Sequence, residues 1–533
     1  VDEILLGLQH RLDRFVRRLR RGAAPVRTDP RLLIVQIDGL SHAVLERALA
    51  AGRMPFLAGL LTRRGYRLEP MSVGLPTSTP AFQMAAMYGV RPDIPGFHYY
   101  DRADRTDIHF PRPGHAARVE ARQAAGRRGI LEGGSAYGCV FTGGAENNLF
   151  SFARLWRPTG SGLVQLVSAF VVLGWVIAKC LVRTVVELTR AVLRLVADPV
   201  GQWRSWRWLT MQLGLCVWLR SLFTLGASRD LYLGAPAVYV NYLDYDVAAH
   251  AFGPRSRRAF KCLARVDRAI RQLMRVTRRV PEHRYELYVL ADHGQTGCTP
   301  YREIAGGRRF ERWIFDEILR PALTGPREPA PRRGLVAGLR DRRRGTDGLF
   351  QHFVNYVGED FLRSRDPEAH QEDGVRVISA GPNGFLYVLD AAAPLDVDAL
   401  ERRLPGVAEE ISRSPGVGFV LARSADGPVC FWRGKRALLS ESEPGPFGTR
   451  TDRTLVVRGL SDLMAMPSAG DLVIYGIDAP EGHVSFISER GAHAGPAFDE
   501  MRTFIVYPPT TALSLPITHP IALYDHFIRY CSR

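Results

Sequence analysis

Five short segments hold the residue types that metals and nucleophiles need. They are Asp38 in IDG, Thr79 in PTSTP, Asp246 with His250 in DVAAH, Asp292 with His293 in ADHG, and His493 in RGAHAG. Carboxylates and neutral imidazoles are the usual ligands of zinc and related divalent ions, and the same donors suit manganese. Asp246 and His250 are four positions apart and share a face if a helix starts there. Taken singly, each residue has a plainer reading, since an Asp at a strand end is often a helix cap and a lone His often a satisfied structural residue. Together they describe a metal-assisted site.

Something must bring these segments together. The run RLLIVQIDG from Arg31 reads as a buried strand ending in an acidic residue, and AVYVNYLDYD (237–246) and YELYVLADHG (285–294) repeat the pattern. Short apolar runs spaced by helical patterns such as 255–277 predict an α/β domain with a mostly parallel sheet. Such sheets keep their chemistry at strand ends.

These segments, in this order, resemble the type I phosphodiesterase and nucleotide pyrophosphatase branch of the alkaline phosphatase superfamily, over about 31–110, 236–300 and 470–510. The resemblance implies an alkaline-phosphatase-like α/β core with two divalent metal ions, zinc or manganese. It assigns Asp38, Thr79, Asp292 and His293 to one metal, and Asp246, His250 and His493 to the other. It implies Thr79 as nucleophile, a phospho-threonine intermediate and a phosphate-ester substrate. The physical logic agrees, because neighbouring cations lower the pKa of a hydroxyl and clamp the oxygens of a phosphoryl group. The sequence departs from the family where Thr79 is followed by PAFQ. It departs again in Gly89-VRPDIPGFHYY, where Pro95 replaces a His and Tyr100 stands at the place of a phosphate-positioning Asn. Tyr100, or Asn147 and Asn148 from the Gly-rich loop region, are the candidates for substrate contact.

The chain divides into a basic amphipathic N-terminal helix with linker (1–30), core segments at 31–157, 229–310 and 465–533, a helical insertion (158–228), and a linker with a small α+β cap (311–464). The cap is expected to return to the core sheet at DLVIYG (471–476). Pro158 to Ala178 carries no charge, and a stripe of Leu181, Val185, Leu188, Val192 and Leu195 follows with Arg183, Arg190 and Arg194 between them. Trp203, Trp206, Trp208 and Trp218 come next. This composition predicts a membrane-like insertion. Thr79 and Asp246 flank it and must share one site, so the chain crosses a membrane twice or not at all. The arginines of the intervening loop favour a monotopic, interfacial hairpin over a buried helical cap or two spans. A membrane-associated protein on the cytoplasmic face is the resulting expectation.

Composition sets the remaining bounds. The 533 residues include 71 Lys+Arg against 54 Asp+Glu, and the net charge of +17 favours an anionic partner. No recognised motif supports specific nucleic-acid binding. Seven cysteines without a CxxC pair indicate neither a disulfide framework nor a thiolate zinc site, and suit a reducing compartment. The N-terminal residues lack the roughly 7–15-residue apolar stretch of a secretory signal. The leading function is metal-dependent hydrolysis of a phosphate monoester or diester. Its alternatives are a phosphoethanolamine-type transferase using the same site and a catalytically inactive scaffold. Thr at position 79, in place of Cys or Ser, argues against a sulfatase.

Overall fold

A computed structural model describes residues 29–110, 112–149, 163–197, 213–324 and 369–531. The basic N-terminal helix, Trp203, Trp206, Trp208 and most of the 311–368 linker therefore lie outside the described residues. The core is a seven-stranded sheet in the spatial order Arg67–Ser72, Arg502–Tyr507, Tyr285–Leu290, Arg31–Ile37, Ala237–Tyr242, Ser135–Tyr137, Asn147–Leu149. Arg31–Ile37 runs parallel to both neighbours, with Val35 opposite Val240 on one side and Val289 on the other. Only Arg502–Tyr507 runs opposite to the other six strands, antiparallel to both of its neighbours.

The central strand explains this position. Its side chains alternate between two apolar layers, Leu32 and Ile34 facing one and Leu33, Val35 and Ile37 the other. Both layers exclude water, so a continuous apolar run is stable only in the middle of the sheet. One covering layer contains the helix Arg257–Arg279, which buries Cys262, Leu263, Val266, Ile270 and Leu273. Its Asp267 accepts hydrogen bonds from Phe56 N (3.0 Å) and Leu57 N (2.9 Å), capping the helix Pro55–Arg64 from outside.

A second seven-stranded sheet, wholly antiparallel, has the order Ala369–Glu372, Val375–Ser379, Asn383–Val388, Leu472–Tyr475, Phe419–Ser424, Gly427–Trp432, Lys435–Leu438. Leu472–Tyr475 was expected to rejoin the core and instead forms the centre of this sheet, paired with Asn383–Val388 and Phe419–Ser424. Leu472 and Ile474 face a layer closed by the helices Val397–Arg403 and Val407–Ser412, while Val473 and Tyr475 belong to the apolar cluster shared with the core. The two sheets are thus joined through a common hydrophobic layer. The Arg102–Asp471 ion pair (2.7 Å), nearly excluded from solvent, crosses the same seam.

The insertion requires correction. The helix Leu163–Ala197 carries Lys179, Arg183, Glu187 and Arg190 on successive turns, and among the described residues no helix is long and apolar enough to cross a membrane. That overturns the membrane-like insertion and the membrane-associated localisation argued from it. The uncharged stretch 158–178 falls largely outside the residues whose side chains are described. Beyond it the helix docks on the protein itself: Cys180 packs on Val217, and Trp218 Nε1 donates to Thr184 Oγ1 at 3.1 Å.

Candidate active site

The parallel strands deliver their following residues to one end of the sheet. Asp38 follows Arg31–Ile37, and Asp292 and His293 follow Tyr285–Leu290. Asp246 and His250 lie on the helix Asp244–Phe252, which begins two residues after the strand Ala237–Tyr242. Thr79 opens the helix Thr79–Tyr88, preceded by Ser78 in extended backbone and followed by Pro80, whose missing N–H costs nothing in a first turn. Gly89 ends that helix at φ +65°, and a Cβ there would lie 2.4 Å from the Tyr524 ring. That helix N-terminus faces the strand ends, where its N–H groups favour an anion.

Two groups of ligand-type atoms result, each mutually within 4.8 Å: Asp38, Asp292 and His293 in one, Asp246, His250 and His493 in the other. His293 Nε2 lies 3.5 Å from Asp38 Oδ1 and 3.4 Å from Asp292 Oδ2. Thr79 Oγ1 is 3.2 Å from His293 Nε2 and donates to Asp38 Oδ1 at 3.5 Å. In the second group His250 Nε2 is 3.4 Å from Asp246 Oδ2. The His293 and His493 rings stack with centroids 3.8 Å apart, so the two groups adjoin.

The electrostatics of the cluster fit cations. Burial, reinforced by Asp292 and Asp246, holds the Asp38 carboxyl well above the usual carboxylate range. Burial pushes Asp292 up to about 7, and its Oδ2 has no hydrogen-bond partner. Burial also lowers His293 to about 4 and His493 to about 3, which keeps both imidazoles in the neutral form that ligates metals. A buried carboxylate with an oxygen lacking a hydrogen bond, beside neutral imidazoles, is a donor set suited to divalent metal ions.

Several supporting residues were not among those singled out from the sequence. Asn241 Nδ2 donates to Asp38 Oδ2 at 2.7 Å. Glu489 Oε2 lies 2.7 Å from His250 Nδ1, Gln295 Nε2 donates to Asp246, and the carbonyl of Thr77 is 2.8 Å from His493 Nδ1. These contacts orient ligands and fix the imidazole tautomers. Asn241 alone was within reach of sequence reasoning, as the penultimate residue of a strand leading into the site.

Of the residues expected to contact substrate, Asn147 and Asn148 are placed elsewhere. Asn147 and Asn148 pair with Ser135 and Ala136, which align with Val238 and Tyr239, whereas Asp38 follows the Ile37–Tyr242 pair at the opposite end of the sheet. Asn148 Nδ2 is committed to Ala145 O at 2.6 Å. Tyr100 packs its ring edge-on against Tyr387 of the antiparallel sheet, centroids 5.6 Å apart.

Residues 32–394 match the family model described as type I phosphodiesterase / nucleotide pyrophosphatase, well over half of the 533-residue chain. The chain belongs to this family. Like the geometry of the two clusters, membership makes it a metal-dependent phosphoric ester hydrolase with an alkaline-phosphatase-like α/β core. His493 lies beyond the matched residues and is brought to Asp246 and His250 by the fold. Two structures of phosphonoacetate hydrolase from Sinorhizobium meliloti 1021 align with 14% identity over 95% of this chain and 96% of theirs. The complex with phosphonoformate gives a TM-score of 0.43 and the complex with phosphonoacetate 0.45. No curated protein matches the chain.

Proposed function

We propose that the protein hydrolyses phosphate esters through a covalent phospho-threonine formed on Thr79. The supporting observation is the position of Thr79 Oγ1, at a helix N-terminus, 3.2 Å from His293 Nε2 and 3.5 Å from Asp38 Oδ1. Asp38, Thr79, Asp292 and His293 would hold one divalent ion, and Asp246, His250 and His493 a second. Zinc is the better fit to this mixture of imidazole and carboxylate, with manganese next. Bound ions supply positive charge that lowers the pKa of a hydroxyl or water and stabilises the charge developing on the phosphoryl oxygens.

The protein's own residues do the rest. Asp38 and His293 aim the Thr79 hydroxyl and lie within reach of its proton, as does the Asp292 carboxyl. In-line attack forms the Thr79 Oγ1–phosphorus bond as the bond to the leaving alcohol breaks, and the first turn of the helix directs its N–H groups at the phosphoryl group. Water then attacks the phospho-threonine, releasing phosphate or a monoester and restoring the hydroxyl. Delivery of the same phosphoryl group to an alcohol would make the enzyme a transferase. Tyr100 borders the seam between core and cap and is the remaining candidate for substrate contact.

The test is turnover of bis-p-nitrophenyl phosphate against p-nitrophenyl phosphate, with zinc or manganese, for the native enzyme and Thr79→Ala. Diester turnover abolished by the substitution supports the nucleophile and phosphodiesterase chemistry, and preferential monoester turnover supports a phosphatase. Turnover unchanged in Thr79→Ala would remove the phospho-threonine.

A further inference from the structure

His293, Thr79 and His493 reach the site on three separate segments, and one buried acid outside both ligand groups is hydrogen-bonded to all three segments. Glu500 lies in the short helix Phe498–Met501, which leads into the core strand Arg502–Tyr507, and it is closed to solvent. Its carbonyl accepts from Gly294 N at 2.9 Å, directly after His293. The approach is close, since a Cβ on Gly294 would lie 1.9 Å from Asp499 O. Its carboxyl Oε2 accepts from Gly495 N at 2.7 Å, two residues after His493, and from Thr77 Oγ1 at 3.2 Å, two residues before Thr79.

Thr77, itself fully buried, completes the junction. Its Oγ1 accepts from Ala494 N at 2.9 Å and lies 3.0 Å from Gly495 O, and its carbonyl is 2.8 Å from His493 Nδ1. The turn before the nucleophile and the loop that carries His493 are therefore held edge to edge by one carboxyl and one hydroxyl. Burying a carboxyl is costly, and burial pushes Glu500 up to about 8. Apolar side chains of the same shape would fill the space without that cost. What the polar junction adds is direction, because satisfied buried hydrogen bonds fix one arrangement where packing alone leaves several.

We propose that Glu500 is a positioning residue: through Thr77 and Gly495 it sets the spacing between the Thr79 hydroxyl and the His493 loop, an inference that rests on the phospho-threonine reading of the site. It acts through the backbone of those segments and through Thr77. In Glu500→Gln the amide oxygen can take the place of Oε2 and accept both bonds, with the amide nitrogen toward the neighbouring Thr296 hydroxyl. In Glu500→Ala both bonds are lost. Thr77→Val removes the hydroxyl that joins the two segments and keeps the carbonyl that faces His493.

The experiment compares the full native chain with Glu500→Gln, Glu500→Ala and Thr77→Val. Each is measured for kcat and KM on bis-p-nitrophenyl phosphate at saturating zinc, for zinc affinity by calorimetric titration of the metal-free protein, and for thermal melting. Glu500→Ala and Thr77→Val are expected to lose about 10–100-fold in kcat, the scale of a nucleophile misplaced by about 1 Å, with KM within about twofold. Zinc affinity at the His493 group should fall about tenfold in both, with the Asp38 group unchanged. Glu500→Gln should return kcat and zinc affinity to near native values. Lower melting temperatures with native kcat and native zinc affinity would make Glu500 a structural staple and overturn the proposal, as would a Gln variant no better than Ala. If Glu500→Ala does not fold, Thr77→Val decides by the same readings. Turnover that survives Thr79→Ala removes the phospho-threonine by itself, and the zinc titration then still decides whether Glu500 holds the His493 loop in place.

Discussion

The two candidate metal groups differ in how they are balanced without an ion. Asp38, Asp292 and His293 bring two buried carboxyls to a neutral imidazole; burial, then Asp292 and Asp246 acting on Asp38 and Asp246 acting on Asp292, push both acids toward their protonated forms. Asp246, His250 and His493 balance themselves. Although burial opposes its charge, His250 is raised well above the usual histidine range by Asp246 and then Glu489, while Asp246 is held low by His250 despite its own burial. The first group is a demand for positive charge, and the second carries its own. Only the first is in hydrogen-bond reach of the Thr79 hydroxyl. The contrast predicts that activity and metal dependence are more sensitive to the first group than to the second.

The severest test is to remove one acid from the first group. Asp292→Ala is expected to lower kcat/KM on the order of 10³-fold, equivalent to several kcal/mol of lost transition-state stabilisation, with one metal equivalent lost by elemental analysis. Retained activity with both metals bound would erase the distinction. Glu489→Gln acts on the second group through the imidazole of His250. Metal affinity there should fall about 10–100-fold, as is usual when a histidine ligand loses its outer carboxylate. Calorimetric titration should show the other site unchanged.

A smaller effect appears in stability. With metal removed by a chelator, Asp292 titrates near 7 in the folded chain, against about 4 when unfolded. Between those values the folded state holds more protons than the unfolded one, so metal-free stability is highest below the lower value and declines as pH rises through 7. Asp292→Asn should flatten that decline in thermal melts. Adding metal should raise the melting temperature by mass action at neutral pH. A metal-free protein whose stability rises over this interval would contradict the balance assigned to the first group.

What was legible in the sequence follows from local rules. A strand buried on both faces must be a continuous apolar run, so the strands leading to Asp38, Asp246 and Asp292 announced themselves, and a helix starting near Asp246 put His250 within its reach. The same rule cannot say which sheet a run joins, and Leu472–Tyr475 has the pattern of a core strand while sitting in the antiparallel sheet. The insertion misled for a related reason: apolar residues at helical spacing suit a lipid face and a protein-docked helix equally. The charges on successive turns decide against a span, and Cys180 and Thr184 hold the helix to Val217 and Trp218, while Leu181, Val185, Leu188 and Val192 stay exposed. Glu489 was invisible because its partner His250 lies 239 positions away.

The finest test of the comparison is Asn241→Ala. Asn241 Nδ2 gives Asp38 Oδ2 a 2.7 Å hydrogen bond and also reaches the carbonyl of Gly138 at 3.3 Å, so it holds the carboxylate in place and favours its ionised form. Removing it should weaken metal binding at the first group by about fivefold to tenfold, the value of roughly 1 kcal/mol for a net hydrogen bond. The second group does not touch Asn241 among the described contacts and should keep its affinity. Since Asp38 also orients the Thr79 hydroxyl, kcat should fall with the metal saturated, which a purely structural role of Asn241 would not produce. Recovery of native kcat at saturating metal would confine Asn241 to metal retention, and an equal loss of affinity at both groups would show that the two halves of the site respond as one unit.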